Sequence, residues 1–179
     1  MGISNIGHTF RNFKSVAGVK ESLEAMRNLA EGTSPVPIVF CYGGVGNGKT
    51  HLLEALVIRL NERGLYSRLY LWRNIVSLFK RHLDKEAEPP FDELLGRFCQ
   101  ARQLIIDDVG IGVTDTAWEQ AQLETIIDYR YSHELVTALA TNKDISELPS
   151  RVLSRLSDKA VCIMCLNKSD DFRKLKGEK

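Results

Sequence analysis

The chain has 179 residues, 44% of them apolar and 26% charged, with a formal net charge of +1. These proportions exclude a collagen-like or intrinsically disordered chain and suit one globular domain with a single packed core. Near-neutrality excludes a chain-wide electrostatic drive toward nucleic acid or membrane, so any basic surface must be local. The first residues lack a basic segment followed by an apolar run, and no apolar stretch approaches the ~20 residues of a membrane span. We therefore expect a cytoplasmic protein with no membrane partner.

In chain order, Val19, Leu23, Met26 and Ala30 recur at helical spacing, and Gly32 can end that helix in a left-handed turn. Pro35-Val36-Pro37 then breaks the chain before an apolar strand at 38–42. A glycine-rich segment follows, and beyond it Leu52, Leu53, Leu56, Val57 and Leu60 form one helical stripe ended by Gly64. A second strand is expected near 68–72, then a helix carrying Ile75, Leu78, Phe79 and His82. Pro89-Pro90 makes 85–90 a loop. A helix at 91–101 precedes a third strand at 103–108. Thr116 with Glu119 fits a capping box opening a long helix whose core face carries Leu123, Ile126, Ile127 and Tyr131. A fourth strand at 136–141, a short helix at 150–157 and a fifth strand at 160–166 complete the pattern, and the tail 167–179 is polar. This alternation is the signature of a parallel sheet covered by helices.

Four cysteines occur, Cys41, Cys99, Cys162 and Cys165. The close pair lies in a strand, where residues three apart point to opposite faces, so buried apolar thiols are expected rather than a metal clip.

Two segments carry chemistry. Gly43-Gly44-Val45-Gly46-Asn47-Gly48-Lys49-Thr50 fits G-x-x-x-x-G-K-[ST], after an apolar strand and before an amphipathic helix. Its glycines let backbone N–H groups approach phosphate oxygens, while the helix offers the positive end of its dipole. Lys49 should reach the β- and γ-phosphates, and the Thr50 hydroxyl should ligate Mg²⁺. Leu104-Ile105-Ile106-Asp107-Asp108 supplies the second half, a carboxylate pair ending a neighbouring strand. Asp107 would hold the metal, and Asp108 would orient and polarise the attacking water. ATP or ADP with Mg²⁺ is the expected ligand.

Together with these motifs, Thr9-Phe10-Arg11-Asn12-Phe13, Ile126-Ile127-Asp128-Tyr129-Arg130-Tyr131, Ala140-Thr141-Asn142, Ser150-Arg151-Val152-Leu153-Ser154-Arg155-Leu156 and Asp171-Phe172-Arg173 occur in an order that resembles AAA+ ATPases. The likeness is greatest to the DnaC and IstB group, which is also similar to the initiator DnaA. The resemblance implies an α/β P-loop NTPase fold, an AAA+ core with a five-stranded parallel sheet in the order 5-1-4-3-2 flanked by helices. One such domain would span 1–179, without the N-terminal helicase-binding region that loaders usually carry. Residues Gly44, Val45, Gly46, Asn47, Gly48, Lys49, Thr50 and His51 would contact nucleotide. Asn142, with Thr141 beside it, would sense the γ-phosphate. Arg155, with Arg151 in reserve, would be the finger inserted into a neighbouring subunit's ATP, and Arg173 would be a second sensor. Helical geometry adds that Arg151 and Arg155, four apart, share a face and should project outward together.

The function implied is a Mg-dependent ATPase that loads a DnaB-type replicative helicase onto single-stranded DNA and self-associates to do so. An IstB-type transposition helper is the alternative within the family. A small-molecule kinase is the alternative outside it, opposed by the lack of an arginine-rich lid insertion. Arg73, Lys80 and Arg81 are candidate DNA contacts, with Trp72 and Phe79 as stacking candidates, against which Phe79 lies on the apolar stripe of its helix and is expected in the core. Many AAA+ proteins carry glutamate where Asp108 stands, and the shorter side chain implies slow intrinsic turnover.

Overall fold

The structure, a computed structural model, describes residues 7–14, 18–84, 86–110 and 116–168. Its elements run α1 (Lys20–Glu31), β1 (Ile38–Tyr42), α2 (Lys49–Glu62), β2 (Leu69–Leu71), α3 (Trp72–Arg81), α4 (Phe91–Gln100), β3 (Gln103–Asp107), α5 (Ala117–Ser132), β4 (Val136–Thr141), a 3₁₀ turn (Ile145–Glu147), α6 (Ser150–Leu156) and β5 (Cys162–Leu166). The strands form one parallel sheet in the order β2-β3-β4-β1-β5, the expected order read from the other edge.

Alternation along each strand divides the core in two. Ile38, Phe40, Leu104, Ile106, Leu139 and Cys162 face a layer built with α3, α4, α5 and α6. Val39, Cys41, Ile105, Ala138, Ala140 and Cys165 face α1 and α2. Cys162 and Cys165 thus enter opposite layers, as the strand reading requires. Each fully buried Leu, Ile or Phe stabilises by about 1.5–3 kcal/mol relative to exposure. Among the described residues no helix is long and apolar enough to cross a membrane.

The local signals behave as their chemistry directs. Gly32 closes α1 at φ 74°, its N–H donating to the carbonyls of Asn28 and Leu29. Thr116 caps α5, its hydroxyl oxygen accepting from Glu119 N at 3.3 Å. The other half of the expected box is replaced, since the Glu119 carboxylate accepts from Lys80 Nζ of α3 at 2.8 Å. Three strand boundaries differ from expectation. β2 is three residues long because Trp72 already begins α3, β5 starts at Cys162, and β3 stops at Asp107. The last stop arises because Asp108 adopts a left-handed φ of 53° and turns the chain out of the sheet. The tail segment with Asp171, Phe172 and Arg173 lies outside the described residues.

Candidate functional site

The P-loop leaves the C-terminal end of β1, and α2 begins at Lys49 directly behind a left-handed Gly48 at φ 89°. Two glycines are demanded by close approach. A Cβ on Gly43 (φ 126°) would lie 2.4 Å from the backbone oxygen of Asn167, and one on Gly48 would lie 2.8 Å from the Phe13 ring. The loop is therefore wedged between the end of β5 and the N-terminal segment.

Lys49 is only 4% exposed. Its Nζ donates to Gly43 O at 2.8 Å, Gly44 O at 2.6 Å and Asn47 Oδ1 at 2.8 Å, which pins the ammonium inside the loop. Asn47 is itself clasped to the chain beyond β5, donating from Nδ2 to Asn167 O at 2.8 Å and accepting at its carbonyl from Asn167 Nδ2 at 3.2 Å. Its side chain is thus turned into the protein, and only its backbone remains for an anion. Val45 points into solvent, 58% exposed.

Across from the loop, Thr50 Oγ1 donates to Asp107 Oδ2 at 2.6 Å, and Asp108 N donates to Asp107 Oδ1 at 2.9 Å. Burial is the main cause that pushes the Asp107 carboxyl above its ordinary value, aided by the neighbouring Asp108 charge and opposed chiefly by the Thr50 hydrogen bond. The left-handed turn at Asp108 brings its Oδ1 to Asn142 Nδ2 at 3.0 Å. Asn142 sits at the end of β4, where Thr141 Oγ1 donates to Val109 O at 2.7 Å and Val109 N donates to Ala140 O at 2.8 Å. Hydrogen bonds across the C-terminal ends of β3 and β4 thus hold the Asp107-Asp108 step in place. A buried carboxylate and a hydroxyl within 2.6 Å form a hard oxygen donor pair of the kind a Mg²⁺ ion takes.

His8, residues 45–51 and Asn142 line a pocket of 170 Å³, below the roughly 300 Å³ at which ligand clefts begin and suited to a phosphate group. A larger groove lies at the sheet edge, but it holds neither Lys49 nor Thr50, which line this pocket. His8 was not legible beforehand. It pairs with the buried Glu54 carboxylate and stacks on His51 at 4.3 Å, while His51 Nε2 meets Thr9 O at 3.0 Å and Phe13 packs edge-on at 5.0 Å. The aromatic character of the front segment was visible; its partners, about forty residues away, were not.

The arginine segment behaves differently from expectation. Arg151 and Arg155 share a face, but both dock onto Asp128 of α5 rather than projecting freely. Arg155 Nε donates to Asp128 Oδ1 at 3.0 Å, Arg151 Nε pairs with the other carboxylate oxygen, and the Arg155 guanidinium lies 4.8 Å from the Tyr131 ring centroid. No described residue lining the phosphate pocket comes from α6. The DNA candidates divide as well. Trp72 and Phe79 are core residues, 2% and 0% exposed, which sets aside the stacking role and agrees with the place of Phe79 on the apolar stripe. Arg73 and Lys80, seven apart on α3, share a face, whereas Arg81 lines the hollow beside β2.

Residues 5–162 match the bacterial DnaA ATPase domain family. The replicative helicase loader DnaC of Escherichia coli K12 is 25% identical over 153 residues, 84% of this chain and 62% of that protein. The AMPPCP-bound DnaA of Aquifex aeolicus superposes with a TM-score of 0.77 at 25% identity, over 97% of this chain and 53% of that one. A DnaC helicase loader structure shares the fold at a TM-score of 0.74 and 18% identity, over 90% of this chain and 97% of that one. The chain thus spans less than two thirds of the curated loader it matches. With more than half of its length inside one family, the chain belongs to the bacterial DnaA ATPase domain family of AAA+ proteins.

Proposed function

We propose that this domain binds ATP with Mg²⁺ at the P-loop, hydrolyses it slowly, and acts in replication initiation as a helicase loader that assembles on single-stranded DNA. The observation that carries the reading is the joint placement of Thr50 with Asp107 at 2.6 Å and Asp108 with Asn142 at 3.0 Å. It supports a two-part triphosphate site with a poised carboxylate.

In this reading the loop amides cradle the β-phosphate, and Lys49 exchanges loop carbonyls for β- and γ-oxygens. Thr50 and Asp107 would hold the magnesium, which would supply charge neutralisation on the phosphates. Asp108 polarises a water whose oxygen bonds to the γ-phosphorus as the bridging P–O bond to ADP breaks; the water proton passes to the carboxylate. Asn142 keeps that carboxylate aimed and contacts the γ-phosphate. Arg155, remote from its own pocket, serves a neighbouring copy and must leave Asp128 to do so. Arg73 and Lys80 offer cations for DNA phosphates. The carboxylate of Asp108 supports turnover below the ~10 s⁻¹ typical of enzymes.

ATP hydrolysis per subunit, measured against protein concentration with and without single-stranded DNA, tests the assembly. Wild type should rise with concentration, and Arg155→Ala should stay flat. A flat wild type would remove the trans arginine. Capture of replicative helicase by the protein supports the loader role, and capture of a transposase in its place overturns it.

A further inference from the structure

Among the described residues the strand order leaves β2 at one end of the sheet, paired only with β3. An open strand edge presents unpaired main-chain N–H and C=O groups, a template for another chain. Beside this edge lies a groove of 630 Å³, much larger than the phosphate pocket, lined by the 64–68 loop, Tyr70, Leu78 of α3, the end of α4 and residues 101–104. A second hollow of 280 Å³ continues it along β2 to Leu71 and Arg81.

The chemistry of the walls is one-sided. Arg68, Arg97 and Arg102 line the groove, Arg81 lines its continuation, and no described lining residue is Asp or Glu. Arg97 is bridged to the exposed Glu93 at 2.8 Å, while Arg68, Arg81 and Arg102 have no ion pair among the described residues. Tyr70, Leu78, Leu94 and Phe98 make the apolar floor. The Ser67 hydroxyl, on a residue 8% exposed, is buried there without a hydrogen-bond partner among the described residues. Tyr70 and Phe98 pack edge to face at 5.3 Å, while Tyr66 on the same wall is 97% exposed, so what favours a peptide over a nucleic acid is the open main-chain edge of β2, which pairs with another backbone.

We propose that the β2 edge docks an extended acidic peptide segment of a partner protein, added as a further strand beside β2. Backbone pairing would satisfy the open edge. Every second side chain of the added strand would face the groove, setting carboxylates against Arg68 and Arg102 beside Tyr70. In the sheet order β3 and β4 lie between β2 and β1, whose C-terminal end carries the P-loop, so the docking edge and the loop are on different strands. Docking and nucleotide binding can then coexist.

The probe is a fluorescein-labelled peptide of about ten alternating Glu and Val residues, titrated with the whole chain and read by anisotropy. We expect saturable binding that weakens with salt and is at least about tenfold weaker for Arg68→Glu/Arg102→Glu. A peptide N-methylated at alternate residues should lose about tenfold as well. Both arginines are exposed, and Arg102→Glu alone serves if the double variant melts early. The variants should keep wild-type nucleotide affinity. Absence of saturable binding, equal affinity in the variants, or equal affinity of the N-methylated peptide overturns the proposal. So does displacement of the peptide by oligothymidylate with the same arginine dependence, which would make the groove a nucleic-acid site. Loss of self-association in the arginine variants, with the peptide bound equally, would overturn it in favour of a second copy of the chain.

Discussion

Methionine in place of Arg130 keeps most of the buried volume and deletes every hydrogen bond the guanidinium makes. Arg130 is 0% exposed. It donates from Nε to Thr137 Oγ1 at 2.8 Å, from Nη1 to the carbonyls of Phe98, Cys99 and Ala101 at 3.2, 3.0 and 2.8 Å, and from Nη2 to Val136 O at 2.6 Å. Three of these acceptors lie at the C-terminal end of α4, where carbonyls have no partner within the helix. One side chain therefore stitches α4 to the start of β4, the strand whose far end carries Asn142. Each buried acceptor left unpaired costs about 1–3 kcal/mol. The four carbonyls would not lose the full sum, because the end of α4 can relax toward water and the cation's own burial cost disappears. That cost is visible in the guanidinium's pKa, which burial pulls down to about 10 and which still leaves it charged at neutral pH. We expect a loss of about 3–5 kcal/mol, the scale for breaking a buried charged network. With a urea slope of about 2 kcal/mol/M, the unfolding midpoint should fall by roughly 1.5–2.5 M. Arg130→Lys, with three donors, should fall about half as far. Circular dichroism and tryptophan fluorescence measure the midpoint. A fall of less than about 0.5 M for Arg130→Met, at unchanged slope, would refute the reasoning.

Asp108→Asn should cut phosphate release at saturating ATP by roughly 10² to 10⁴-fold while nucleotide affinity stays within about threefold; an equal loss of affinity would make Asp108 a binding residue. Gly43→Ala forces a Cβ to 2.4 Å from a backbone oxygen at φ 126°, whereas a Cβ on Gly44 meets nothing within 4 Å. Strain of about 1–3 kcal/mol should lower the melting temperature of Gly43→Ala by at least about 2 °C and leave that of Gly44→Ala unchanged; equal melting would contradict this. Tyr131 donates to Asp158 Oδ2 at 2.5 Å and thereby holds that carboxyl below its ordinary value. A depressed folded-state value gives stability that is present above the ordinary aspartate value of about 4 and lost as pH falls through the lower one. Tyr131→Phe should therefore lower the urea midpoint at neutral pH, with the deficit shrinking in strong acid; a deficit independent of pH would contradict the linkage.

What could be read from the chain was what is local. The P-loop announces itself in eight consecutive residues, and Leu104-Ile105-Ile106 alternates between the two core layers as a buried strand must. Asp108 was identified, but not the left-handed turn that carries it to Asn142, because acidic residues end strands in many conformations. The Asn47 and Asn167 clasp joins positions 120 residues apart, and nothing local distinguishes either asparagine from a turn former. Arg130 stands three and four residues after Ile127 and Ile126, so spacing puts it on the apolar face of α5, where residue type alone argues against a cation; the carbonyls at the end of α4, supplied by the fold, make its burial tolerable. Helical spacing correctly put Arg151 and Arg155 on one face, yet the Asp128 that receives both is a choice of packing between α5 and α6. The same holds for Trp72, whose ring the core takes, whereas the helical stripe already placed Phe79 there.

The central claim is a magnesium-dependent triphosphate site at Lys49, Thr50 and Asp107. Isothermal titration of ATP into the protein, with magnesium and then with excess chelator, for wild type and Lys49→Ala, tests it most directly. We predict one saturable site per chain in wild type, tighter with magnesium, and affinity reduced by at least about tenfold in Lys49→Ala with its melting curve intact. Equal ATP affinity in both proteins, or no heat in a folded wild type, would contradict it.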